Sequence, residues 1–198
     1  MADTSARDAK LVEFLNEAYA KEKQLEISLQ AHAEVTTHDL YAKRLTDHLK
    51  ETKSHATKLS RRIQQLGGTP TAAPIAVPDA IGKAAGRVSE SVAKARTAAQ
   101  DRLQSARRTG EQARMLHNAR DEFADEAQEI ATYTVIDSLA SAVGDKQTAK
   151  LARDIKRDEE RMQKFLGDLI PELAMNVSHD EIPISQIEGA STRSRATA

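Results

Sequence analysis

The chain of 198 residues contains no cysteine and no tryptophan, and aromatic residues make up only 3% of it. Without thiols, disulfide scaffolds, thiolate metal sites, thiol nucleophiles and iron–sulfur ligation are excluded together. So few rings argue against base-stacking platforms and against the aromatic-rich strands of most all-β folds. No apolar run approaches the length of a membrane span, and residues 1–10 are polar and lack the apolar core of a secretory signal. The expected compartment is therefore the cytoplasm. An excess of one charge is missing too: the net charge is -1, which excludes whole-chain attraction to polyanions. What is present, 39% hydrophobic and 30% charged residues, describes a helix-rich chain with room for one substantial core.

Helical spacing of apolar residues organises the chain. Leu11, Leu15, Ala18, Leu25 and Leu29 predict a helix over residues 6–34, and Leu45, Leu49, Thr52, Ala56, Leu59 and Ile63 a second over 39–66. Gly67 and Gly68 end the second helix, and the short link between the two makes them antiparallel neighbours. Residues 69–78, with Pro70, Pro74 and Pro78, form the one long crossover, followed by an Ala/Arg-rich helix over 79–109. A helix over 111–143 stops at Gly144, and the last, over 146–168, is closed by Pro171. The expected architecture is all-α: a four-helix up-down bundle over residues 1–175 with an additional basic helix, then a poorly ordered tail over 176–198.

Four acids interrupt these stripes. Glu22, Glu51, Glu126 and Glu159 fall in or beside apolar faces, one on each bundle helix, where leucine would ordinarily stand. A glutamate beside such a stripe is commonly a solvated flank residue, but Glu22 and Glu159 are centred in theirs. Burying an ionised carboxylate unpaired costs several kcal/mol or more, so an inward cluster requires a cation, protons or internal hydrogen bonds. Carboxylate oxygens and imidazole nitrogens together suit iron or manganese. In carboxylate-bridged bundles two helices each supply one Glu and two supply Glu-x-x-His. Here Ser54 stands three residues after Glu51, with His55 one residue beyond and His48 on the other side, while Met162 follows Glu159 at that spacing. Glu126 and Glu129 supply two acids with the same separation, Glu126 or Glu51 is the expected bridge, and Tyr19 and Tyr133 are expected just outside the cluster.

The segments LNEAYAKEKQLEISL (15–29), HLKETKSHATKL (48–59), DEAQEIATYTVIDSLA (125–140) and RDEERMQKFLGDLIP (157–171) resemble the YciE/YciF family of ferritin-like proteins across all four bundle helices. The resemblance implies a ferritin-like bundle, two iron ions or alternatively manganese, and a part in bacterial stress responses. Glu22, Glu51, Glu126 and Glu159 match its acidic positions, with His55 and Glu129 as further ligands. Ala127 and Met162 depart from the family's pattern.

Residues 83–114 carry Lys83, Arg87, Lys94, Arg96, Arg102, Arg107, Arg108 and Arg114 against Glu90, Asp101 and Glu111. This positive stretch suits non-specific, salt-sensitive contact with DNA or an anionic surface, or else a small-residue contact in a homodimer. Two functions are thus expected from different classes. One is a di-metal protein oxidising iron or handling peroxide under stress. The other is a non-enzymatic helical protein whose basic helix meets DNA, an anionic membrane or a protein partner.

Overall fold

The computed structural model describes residues 5–72 and 110–187. These described residues form four long helices, α1 (Ala6–Val35), α2 (Asp39–Gln65), α3 (Glu111–Ala142) and α4 (Lys146–Glu181), then one 3-10 turn, Ile184–Gln186, and include no strand. The long crossover from residue 73, the Ala/Arg-rich helix over 79–109 and the tail beyond 187 lie outside the described residues.

The buried residues of each helix explain why the four assemble. On α1 they include Leu11, Leu15, Ala18, Glu22, Leu25, Leu29 and His32, and on α3 Met115, Ala119, Glu122, Glu126, Glu129, Tyr133, Ile136 and Ala140. The steps alternate four and three. α2 (Tyr41, Leu45, His48, Thr52, His55, Leu59) and α4 (Ala152, Ile155, Glu159, Met162, Leu166, Leu169, Leu173) follow the same rhythm. A 3.5-residue repeat keeps one seam facing inward on helices that cross at a shallow angle, the geometry of four-helix bundles. α1 pairs with α2 and α3 with α4 as hairpins, and α1 also packs on α3 and α2 on α4. Contacts such as Lys21 with Asp125 and His32 with Glu122 show α1 and α3 running antiparallel. His38 with Glu172 and His55 with Asp158 show the same for α2 and α4.

Two apolar clusters fill the ends of the bundle. One gathers Leu11, Leu15, Leu59, Ile63, Tyr133, Ile136 and Ile155, and the other Leu25, Leu29, Tyr41, Leu45, Met162, Leu166 and Leu173. Each fully buried leucine or isoleucine contributes roughly 1.5–3 kcal/mol of hydrophobic stabilisation. Between the clusters, the inward positions are polar.

The helix ends follow the expected glycines. Gly67 (φ 79°) and Gly144 (φ 75°) adopt the left-handed conformation after α2 and α3. The amides that follow close the Schellman pattern, Gly68 to the Ile63 carbonyl at 2.9 Å and Asp145 to that of Ala140 at 2.8 Å. Side chains cap three N-termini: Ser5 for α1, His38 for α2 and Asp145 for α4. One boundary requires correction. Pro171 does not close the last helix, which continues to Glu181 with Pro171 inside it, so residues 176–181 are helical rather than the start of a disordered tail. Pro171 is exposed, whereas Leu169 and Leu173 on either side are buried. Burial of these flanking leucines offsets the lost backbone hydrogen bond.

Candidate metal centre

The polar layer is built by residues that occupy seam positions in the middle of each helix. α1 supplies Glu22, α2 His48, Thr52 and His55, α3 Glu126 and Glu129, and α4 Glu159, and none of these is more than 2% exposed. Two sets of ligand-type atoms converge: Glu22, His55 and Glu159 form one, and His48, Glu126 and Glu159 the other, the atoms of each set lying within 4.8 Å of one another. Glu159 belongs to both.

Much of this layer has no hydrogen-bonding partner. Glu22 Oε2, Glu126 Oε2 and both oxygens of Glu129 and of Glu159 are buried and unpaired, as is His55 Nδ1. His55 Nδ1 lies 3.0 Å from Glu159 Oε1 and 3.4 Å from Glu22 Oε1. Buried polar groups are almost always satisfied, so this many orphaned oxygens in one place call for a cation or protons. The donor set, carboxylate oxygen with imidazole nitrogen, is one that iron and manganese accept. The residues therefore fit a metal pair.

The protonation of the metal-free layer has the same origin. Burial pushes Glu22 upward, Glu129 well above the usual carboxylate range and Glu126 up to about 8, the last despite its bond to His48. Burial alone would lower His48 and His55. Hydrogen bonds from Glu126 and Glu51 around His48, and the close carboxylates of Glu159 and Glu22 around His55, outweigh it and raise each to about 10. Tyr133 donates its hydroxyl to Glu22 Oε1 at 2.5 Å, and burial raises that hydroxyl far above its ordinary value, so it remains a donor.

The sequence-predicted residues divide clearly. Glu22, His55, Glu126, Glu129 and Glu159 are brought together in the layer. Glu51 is not. It lies one position off the inward seam, its side chain is 28% exposed, and it bonds Arg44 at 2.9 Å and His48 Nδ1 at 3.0 Å. Those two partners outweigh partial burial and lower it to about 2. His48, like His55, points inward, with Nε2 3.0 Å from Glu126 Oε1.

The expected Glu-x-x-His spacing falls on Thr52 and His55, with threonine in place of the acid, and on Glu159 and Met162, with methionine in place of the imidazole. α2 consequently carries both imidazoles and α3 two carboxylates. Sequence reasoning missed Asp158, which bonds His55 Nε2 at 2.9 Å. It also missed a second buried knot near the end of α1, where Glu122 meets His32 Nδ1 at 2.5 Å and the Tyr41 hydroxyl at 2.8 Å. The seam rhythm marks Glu122 and His32 as inward, although nothing in the sequence pairs residues 90 positions apart.

A family profile described as a domain of unknown function, DUF892, matches residues 6–177. No functionally curated protein matches the chain significantly in sequence. Among solved structures, a protein from Xanthomonas campestris pv. campestris is 23% identical, with 88% of this chain and 96% of that one covered and a TM-score of 0.62. The E. coli stress protein YciF is 18% identical over 86% and 98% of the two chains, with a TM-score of 0.59. A Bacillus anthracis structure described as ferritin-like, diiron-carboxylate is 21% identical over 84% and 99%, also with a TM-score of 0.59. At these identities the likeness is one of fold, and the fold is a ferritin-like helical bundle, as the YciE/YciF resemblance implied.

Proposed function

Because the chain belongs to the DUF892 family and its fold encloses this layer, we propose that it binds two iron ions, or manganese in their place, and uses them in oxidation chemistry on iron or peroxide during stress. The observation that supports this reading is the set of orphaned, fully buried oxygens on Glu22, Glu126, Glu129 and Glu159 beside two inward imidazole nitrogens. Glu22, His55 and Glu159 would hold one ion and His48, Glu126 and Glu159 the other, with Glu129 available to either. When bound, such a pair supplies one-electron chemistry toward oxygen or peroxide that no side chain of this cysteine-free chain can provide. The protein's own residues bind, orient and dry the site. Tyr133 fixes Glu22 by hydrogen bonding, the two apolar clusters exclude water from either end of the layer, and the Lys21–Asp125 pair at 2.6 Å ties α1 to α3 beside it.

Elemental analysis of protein purified without chelator, repeated after anaerobic iron loading, tests this reading. About two metals per chain is expected from the two convergent sets, and none under both conditions would sink it. A homodimer belongs to the same proposal. Met175, Ile182 and Ile184, exposed at and beyond the end of α4, are the apolar surface a second copy would cover, and the native mass of the same preparation reports on it.

A further inference from the structure

Each inward histidine has its second ring nitrogen on a carboxylate outside the cluster, and the two are arranged oppositely. His48 places Nδ1 on Glu51 at 3.0 Å and turns Nε2 inward toward Glu126. His55 places Nε2 on Asp158 at 2.9 Å and turns Nδ1 inward toward Glu159. Glu51 and Asp158 sit one position beside the seam residues Thr52 and Glu159, on the two helices that face each other. Both are partly exposed and both reach Arg161, whose guanidinium lies 2.6 Å from Asp158 and 3.6 Å from Glu51. Arg44 holds Glu51 from the other side at 2.9 Å.

From this geometry we infer that Glu51 and Asp158 are positioning residues that select the nitrogen each histidine offers, Nε2 from His48 and Nδ1 from His55, so that the two metal positions are chemically unlike. The inference rests on the two-metal reading above. An ionised carboxylate only accepts hydrogen bonds, so each pins an N–H at the outer nitrogen and leaves the inner one to face the centre. Moving the proton to the inner nitrogen would set a bare nitrogen against the carboxylate, and turning either ring over would set a ring carbon there; both would break the pairing that Arg161 braces. Nδ1 lies next to Cβ, whereas Nε2 is at the far side of the ring, so the two positions stand at different distances from the α2 backbone. Glu51 thereby keeps a role at the site without being a ligand.

Titration of metal-free protein with cadmium-113, followed by nitrogen-15 NMR of the histidines, tests this directly. The expected result is a one-bond cadmium coupling to His48 Nε2 and another to His55 Nδ1. Asp158→Ala should weaken one binding step about 10–100-fold and Glu51→Ala the other, with Asp158→Asn and Glu51→Gln, which retain an accepting oxygen, recovering part of the loss. Coupling through the same nitrogen on both rings would overturn the inference, as would variants that weaken both steps alike or neither. Failure to take up cadmium, iron or manganese at all would bring down the two-metal reading and this inference with it. Two bound ions with the wrong nitrogens would bring down this inference alone.

Discussion

Among the buried acids, Glu129 is the least compensated: both oxygens are unpaired, and Glu22, Glu126 and Glu159 surround it with like charge. Such a residue is retained against stability. Burial holds it protonated in metal-free protein, yet a buried carboxyl with no hydrogen-bonding partner still costs about 1–3 kcal/mol, so Glu129→Leu should raise the denaturant midpoint of metal-free protein while lowering its metal content. A lowered midpoint would mean that Glu129 has a partner in solution. Glu22 and Glu159 were legible in the sequence because their stripes are long and they sit at the centre. Glu51 was misplaced because a single residue on a helix turns a side chain by about 100°, and the seam through Leu45, His48, Thr52 and His55 passes just beside it. Asp158 could not be found that way, since a residue that supports a ligand from outside the seam has the appearance of any solvated flank.

At the scale of the elements, glycine stops were readable and the proline stop was not. Gly67 and Gly144 mark helix ends because the left-handed turn there suits residues without Cβ. Pro171 is tolerated because continued burial along α4, through Leu173, favours the helix over a break. The α3/α4 turn is anchored by Asp145, which accepts from the Thr148 amide at 3.0 Å, the Thr148 hydroxyl at 2.7 Å and Arg62 of α2 at 2.6 Å. It is both a helix cap and a clasp between hairpins. Asp145→Ala should cost about 1–3 kcal/mol, the loss of a cap and of the charged bond to Arg62, whose guanidinium keeps Thr148, Gln65 and Gln147 as neutral partners. Asp145→Asn, which can still cap, should cost less; equal losses in equilibrium unfolding would show that charge rather than capping dominates.

For the whole molecule, the polar layer couples stability to pH. Folded-state values of about 8 for Glu126 and about 10 for His48 and His55 lie above the ordinary 4.5 and 6.5, and Glu22 and Glu129 are shifted the same way. The folded chain then binds more protons than the unfolded one, so these groups contribute fully below their unfolded values and progressively less as pH rises toward 10. Glu51, lowered to about 2, acts oppositely: its contribution is present above 4.5 and lost as pH falls through 2. Metal-free protein should therefore melt at lower temperature as pH is raised from about 6 to 9. With saturating metal the slope should flatten or reverse, because ligation needs those protons gone. A calorimetric series with and without metal checks both limbs, and an unchanged slope would mean that no ion displaces the protons of this layer.

The division of the core has a kinetic side. Each hairpin forms from contacts close in sequence, but joining the two must dehydrate Glu22 of one and Glu126, Glu129 and Glu159 of the other at the same moment. A divalent cation bound as proposed would neutralise those acids and so would speed docking and slow separation. The supply of metal would then set how long a newly made chain persists as two open hairpins with their leucines uncovered, and so how long proteases and aggregation have to act on it.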